Sequence, residues 1–588
     1  MTNRRPWLQA SWVRVSLSVS MVVCGWIALL VGCETSPPMA TPSWGDAGRT
    51  VVVGVARTLL SDAGTSLSID LGTSCPDATV TALPDVVESG PPTSRDAADA
   101  TLADASPRAV DATITDATLR DGPAMETAAC VGLACQQTCA STTVKGKVYD
   151  PAGINGLYNI LVYVPSAPLD PIPTGPSCTQ CQLAASGSPL TQATTHSDGT
   201  FTLTNLPSGV DIPIVLQAGK WRRHLTLPSV TACATNTPPD GFFRLPRAQH
   251  ETSADDNIPL IALTTGCDGV ECFFRGRIGL LDSEFTGPGG AGRVHVYKSA
   301  NDDGQQFPGG AGNANDFWAN EAEWMKYDIV FDACECETFD RGGAGSTNVG
   351  YANFLHYLNA GGRAFTTHYF YNFFANESQC DPDSSEDVSD CFGQGSLPAV
   401  AAWEGNTGQS FAPDFPDCPN DPAFDGTDGG LGGSCVTIDT SVPKGAAFAS
   451  WYQQNSGKLG FGGGETYGHV GLTDIRTDVG ALAQPLVAAG TATPWLYAGD
   501  LGDAYDTYYF SVNTPVGTLP CTQCGRAIFS DVHLDDPPPT GGVFPSYCAT
   551  NPSSNDHAPN ELALEFLFFD LASCVQDERK EPVAPPPK

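Results

Sequence analysis

Positive charge is what this chain has least of. Its 588 residues carry 29 Lys and Arg against 65 Asp and Glu, a net charge of −36, and only 16% of them are charged at all. A protein that tracks a phosphate backbone needs clustered Lys and Arg, so nucleic acid is excluded as a partner. The acidity suits solubility, and also a calcium ion or a cationic surface. A long apolar run is missing too. The apolar stretch near the N-terminus follows Arg4, Arg5 and Arg14 and has a core of about a dozen residues, short of the roughly 20 that a membrane-spanning helix needs. A basic start, a short apolar core and small residues before a cut site describe a secretion signal over residues 1–32. Residues 33–129 are poor in aromatics and rich in Ala, Asp, Thr, Ser and Pro, with repeated fragments at Asp96–Thr101 and Asp111–Thr113. Such a segment buries too little apolar surface to offset the entropy of ordering it, which predicts a disordered tether. By random-coil scaling its ends lie about 55 Å apart.

Cysteine, by contrast, is abundant, with 21 residues. Cys24 leaves with the signal, Cys75 sits alone in the tether, and apart from Cys33 the rest lie from Cys130 onward, an even set that reads in an exported protein as a disulfide framework. Short separations point to local bridges Cys267–Cys272, Cys380–Cys391 and Cys418–Cys435, with the remaining connectivity open. Two Cys-Thr-Gln-Cys runs, Cys178/Cys181 and Cys521/Cys524, have a spacing that suits a disulfide, a zinc site or a redox pair. Leu30-Val31-Gly32-Cys33 resembles a bacterial lipobox. The resemblance implies that Cys33 becomes the first mature residue and carries acyl chains, and two or more such chains hold a protein stably on a membrane. Arg4-Arg5-Pro6-Trp7-Leu8 resembles a twin-arginine export signal, so the export route stays open between that pathway and the general one.

Between 130 and 262 the sequence shows short, partly alternating runs separated by Gly and Pro turns: 143–150, 159–164 and 199–203. That rhythm predicts an antiparallel β-sandwich. The segments Val144-x-Gly146-x-Val148-x-Asp150, Thr195-x-x-Asp198-Gly199-x-Phe201-x-Leu203 and Leu206-Pro207-x-Gly209 resemble the carboxypeptidase regulatory-like domain, a prealbumin-like sandwich related to the Cna protein B-type repeat. The resemblance implies a spacer or ligand-presenting module without catalysis. No set of Lys, Asn or Asp, and Glu for an isopeptide cross-link stands out.

From 263 to 575 the rhythm changes. Strands are predicted at 293–297, 327–332, 363–367 and 525–530, and helices at 317–327, 349–359 and 560–574, the second stopped by Gly361-Gly362. Alternation of strand and helix predicts an α/β domain with a largely parallel sheet. A Gly, Asp and Cys rich insertion at about 375–480 reads as disulfide-pinned loops over the carboxyl edge of that sheet, and residues 576–588 as a disordered tail. The order of elements resembles the class I glutamine amidotransferase-like (flavodoxin-like) fold, including trehalose-utilisation-type members. The family's nucleophile elbow here reads Thr366-Thr367-His368-Tyr369-Phe370, without Cys, Ser or flanking glycines, which excludes glutamine hydrolysis through a thioester. Its late His-x-Glu pair survives as His533-Leu534-Asp535. His368, His533 and Asp535 are therefore candidates for acid–base work or for holding a metal, the alternatives being buried remnants and a ligand site. Asn420, Asp421, Asp425 and Asp428 offer oxygen ligands to calcium but lack EF-hand spacing. Aromatics at Tyr369, Phe370, Tyr371, Phe373, Phe374, Trp451, Tyr452, Trp495, Tyr497, Tyr508 and Tyr509 suit either a sugar-stacking platform or a core.

The whole chain resembles exported bacterial lipoproteins in which this sandwich precedes this α/β unit. Some of these bear the label tryptophan synthase alpha chain, which the sequence does not support: it has no eightfold β/α repeat, and a cytosolic enzyme has no use for a lipobox. The expectation is a lipid-anchored envelope protein of multidomain fold, anchored at the outer membrane or cell surface. It needs no cofactor, contacts a surface polysaccharide or protein, and has a binding or architectural role. The rival expectation is a secreted hydrolase or metal-dependent enzyme using His368, His533 and Asp535.

Overall fold

Gly199 shows how the sequence sets the first turns. It adopts φ +81° between Asp198, whose carboxylate accepts from Thr200 N at 2.9 Å and Thr200 Oγ1 at 2.6 Å, and the strand that begins at Thr200. A Cβ at Gly199 would stand 2.6 Å from Gly156 Cα and 2.8 Å from Val148 O, so only glycine lets these backbones meet. The computed structural model describes residues 130–582 with breaks, the larger at 179–184, 299–305, 335–348, 376–394, 404–433, 460–466, 535–540 and 549–557. All described residues belong to one compact unit, Gly72–Lys588. It is built of several sheets, mostly β with some helices.

Seven strands come first: β1 (Thr143–Lys147), β2 (Leu161–Pro165), β3 (Pro189–Thr194), β4 (Thr200–Thr204), β5 (Gly209–Ala218), β6 (Trp221–Val230) and β7 (Thr235–Asn236). They form a three-stranded sheet β4-β1-β7 and a four-stranded antiparallel sheet β3-β2-β5-β6. Alternation decides which side chains turn inward, as in β4, where Phe201 and Leu203 are buried and Thr202 and Thr204 are exposed. Val144 and Leu203 from one sheet join Val162, Ile212 and Ile214 from the other in one core.

The strands that follow are β8 (Ile261–Thr265), β9 (Phe285–Thr286), β10 (Val294–Lys298), β11 (Gly312–Asn313), β12 (Ile329–Asp332), β13 (Arg363–Thr367), β14 (Ala401–Trp403), β15 (Ser434–Ile438), β16 (His469–Leu472), β17 (Val479–Leu482), β18 (Ala492–Gly499), β19 (Tyr505–Thr514) and β20 (Gly525–Ser530). All but the small β14-β17 pair belong to an eleven-stranded sheet ordered β11-β10-β8-β12-β13-β20-β19-β18-β15-β16, with β9 beside β10. From β11 to β20 neighbours are parallel, and from β20 to β16 they are antiparallel. Every residue of β8, β12, β13 and β20 is buried, the signature of parallel strands covered on both faces. Leu263, Phe331, Phe365 and Ile528 face one core, and Ala262, Val330, Ala364 and Ala527 face the other.

Among the described residues seven α-helices accompany the sheets: α1 (Val270–Gly276), α2 (Ala314–Trp318), α3 (Glu321–Trp324), α4 (Val349–Asn359), α5 (Pro443–Leu459), α6 (Gln484–Ala488) and α7 (Ala558–Ala572). Helix α7 is the seam between the strands of residues 143–236 and the large sheet. Phe568 and Phe569 lie 6.1 and 5.5 Å from Trp221 between ring centroids, Phe566 stacks on Tyr158, and Glu565 Oε2 accepts from Asn155 Nδ2 at 2.8 Å. Lys220 bridges to Asp328 at 2.7 Å across the same seam.

Four expectations change here. The helix predicted at 317–327 is two short helices, because Asn320 breaks it and caps the second, its side chain accepting from Ala322 N. The segment at 375–480 is not only loops: β15 and β16 extend the large sheet and α5 packs against α7. The tail expected from residue 576 starts with residues that the fold uses, since Glu578 is buried against Lys444 and Arg526, which supply the opposite charge that burial requires. Finally, Cys272 pairs with Cys548, 276 residues away, and not with Cys267, because α1 brings it beside that segment with a Cα separation of 5.1 Å. Other bridges join Cys130 to Cys135, Cys139 to Cys233 and Cys178 to Cys524. One member of each Cys-Thr-Gln-Cys run is thus tied to the other run. Cys435, Cys521 and Cys574 are disulfide-bonded as well. Cys181, Cys267, Cys380, Cys391 and Cys418 lie outside the described residues, as do Cys33 and the tether.

Candidate functional site at the carboxyl ends of four parallel strands

Strands β8, β12, β13 and β20 are consecutive neighbours in the sheet, and each releases a chemically capable side chain within three residues of its carboxyl end: Asp268, Cys334, His368 and His533 respectively. The carboxyl edge of a parallel sheet is where open α/β folds collect their working residues. Asp268 is fully buried, and its carboxylate accepts from three donors, His533 Nδ1 at 2.6 Å, Thr367 Oγ1 at 2.9 Å and Leu534 N at 3.3 Å. An ionised carboxylate only accepts, so this contact places a proton of His533 on Nδ1. Asn560 of α7 fixes the loop by donating to His533 O at 2.7 Å.

His368 directly follows β13, with φ +53°. A non-glycine residue in the left-handed region is uncommon and costs about 1–3 kcal/mol, and such residues cluster at working sites. Its ring centroid lies 4.0 Å from that of His533, and its Nδ1 lies 3.0 Å from Cys334 Sγ. Burial first, then the neighbouring His533 and Arg476, pull the His368 pKa well below its usual 6.5, so its imidazole is neutral. Cys334 is fully buried and is not in a disulfide, unlike its expected place among the half-cystines. Around the group, Arg476 lies over the Tyr369 ring at 4.3 Å and forks onto the Asp478 carboxylate at 2.8 and 2.9 Å. Burial and the nearby charge of Asp478 push the Asp531 carboxyl well above the ordinary range.

The structure therefore brings together His368 and His533, as the sequence suggested. Asp535 lies outside the described residues, as do Asn420, Asp421, Asp425 and Asp428. The carboxylate that orients His533 is Asp268, contributed by a strand that the sequence pattern did not reveal. Cys334 was within reach of the sequence, since it follows the recognised strand at 327–332, but the even cysteine total drew it into the disulfide set. The aromatic run beside β13 is core: Phe370, Phe373 and Phe374 are fully buried and pack on Trp318, Trp324 and Trp403. Two small cavities lie elsewhere, at the α7 seam beside Tyr158 and Trp451 and beside Lys220 and Arg363, of about 10 and 20 Å³, room for a water.

Comparison with protein-family models, with curated proteins and with solved structures returns no match to this chain. Among the described residues no helix is long and apolar enough to cross a membrane.

Proposed function

We propose that this chain is a lipid-anchored cell-envelope protein, exported and stiffened by disulfides, that hydrolyses a substrate at the carboxyl edge of its large sheet. In this reading the two small sheets form the prealbumin-like sandwich and present the large sheet, an amidotransferase-like α/β domain, at the end of the tether. The disulfides support an extracytoplasmic setting. The observation that carries the hydrolytic reading is the contact of His533 with Asp268 beside His368. His533 Nε2 takes a proton from water as the water oxygen attacks the substrate, Asp268 stabilises the resulting imidazolium, and the same proton then passes to the leaving group. His368 in place of an elbow nucleophile fits attack by water.

A role limited to binding or surface architecture is the second reading. It draws on the Cys178–Cys524 link and the α7 seam, which hold the two regions together whether or not any chemistry occurs. Turnover of chromogenic esters, amides, glycosides and phosphates by the native protein separates the two. The hydrolase reading expects turnover of at least one class and a fall of about 10²–10⁴ in His533→Ala. No turnover, or turnover that His533→Ala leaves intact, favours the architectural reading.

A further inference from the structure

Building on the hydrolase reading of this edge, we propose that Cys334, His368 and His533 together hold one divalent cation of the zinc class, with Asp268 supporting His533 from behind. Their ligand atoms all lie within 4.8 Å of one another. Zinc binds thiolate at about 2.3 Å and imidazole at about 2.0–2.1 Å. Tetrahedral donors then stand about 3.3–3.6 Å apart, so the 3.0 Å separation of Cys334 Sγ and His368 Nδ1 opens by roughly half an ångström, a small side-chain rotation.

Three further features fit an ion. Metal-bound histidines characteristically give their second nitrogen to a carboxylate that fixes the tautomer, and His533 does this with Asp268 at 2.6 Å. The donor set, one sulfur and two imidazoles, suits zinc and not the oxygen-seeking calcium or magnesium. Charge also balances: the Cys334 thiolate and the Asp268 carboxylate each bring one negative charge, and a divalent cation cancels both in a place where an unpaired charge is costly. On binding, the S–H bond of Cys334 breaks, sulfur keeps the electron pair and donates it to the ion, and the proton leaves to bulk water. Cys334 is fully buried and so is poorly placed to attack a substrate itself; a ligand role uses the same atom without exposure. Three protein ligands leave the fourth tetrahedral position to water, the arrangement of catalytic rather than structural zinc. An ion held there would take the His533 lone pair, and its bound water would supply the nucleophile in place of general-base action by His533.

The test uses the full chain, exported and purified in detergent, stripped with a chelator and titrated with zinc and with cobalt(II) as a coloured probe. Expected are one ion per chain, one proton released, and a cobalt spectrum with tetrahedral intensity and a sulfur-to-metal charge-transfer band. Cys334→Ser removes that band, His368→Ala and His533→Ala abolish stoichiometric binding, and Asp268→Asn weakens it about 10–100-fold. Far-ultraviolet circular dichroism and the disulfide mass of each variant separate loss of a ligand from loss of the fold. A native protein that takes up no cobalt, or uptake unchanged in both Cys334→Ser and His533→Ala, overturns the proposal. Metal bound without turnover removes the hydrolase reading alone, and turnover by a protein that takes up no cobalt removes the metal proposal alone.

Discussion

Two buried acid–base groups on opposite sides of the seam show how much single residues decide. Asp150 and Glu565 are buried close to each other, and burial, followed for Glu565 by the charge of Asp150, raises both carboxyls, Glu565 well above the ordinary range. A carboxyl whose pKa is raised on folding gives stability that is present below the unfolded pKa near 4.5 and is lost as pH rises, because the unfolded chain ionises more readily. Glu565→Gln mimics the protonated form and keeps an acceptor for Asn155, so thermal unfolding should match the native protein at pH 4 and move to higher temperature at pH 7. An equal shift at both values would show that the pair is not proton-linked. The candidate site was half legible at this scale. His368 and His533 could be read because each directly follows a recognisable strand. Asp268 could not, because β8 is a five-residue run without alternation next to a presumed domain boundary, and a lone Asp beyond it carries no pattern.

Elements with strong local punctuation were legible, and those set by distant partners were not. Helix α4 and strands β13 and β20 match their predicted bounds because Gly361-Gly362 stops the helix and the strands are short apolar blocks. Strands β15 and β16 were missed because their Gly, Asp and Cys rich surroundings show no period, and it is pairing with β18 that holds β15 and pairing with β15 that holds β16. Helix α7 was found, but its role as a seam was not, since an apolar helix does not say which sheet it will meet. Phe568 makes edge contacts with both Trp221 and Phe274. Phe568→Ala should cost about 3–5 kcal/mol in chemical denaturation; a loss under about 1 kcal/mol would mean that the seam contributes little to the fold.

At the scale of the molecule, composition divides the chain at about residue 262 but does not show that the parts are joined. The joint consists of the α7 aromatics, Lys220 with Asp328, and the Cys178–Cys524 bridge, whose ends are 346 residues apart in sequence. Pairing at such separations leaves no trace in spacing, which is why short-range bridges were favoured. With a continuous core on both sides of the joint, calorimetry of the oxidised protein should show a single cooperative transition, and the Cys178→Ala/Cys524→Ala protein should melt lower but still in one step. Two separate transitions in the oxidised protein would mean independent domains.

The claim on which the account turns is that four strand ends build one working centre. Anomalous diffraction at the zinc edge, from crystals of the zinc-loaded protein, tests it most directly. The account predicts one peak among Cys334 Sγ, His368 and His533, with Asp268 still on His533 Nδ1. Zinc bound elsewhere, with Cys334 still bonded to His368, would contradict it.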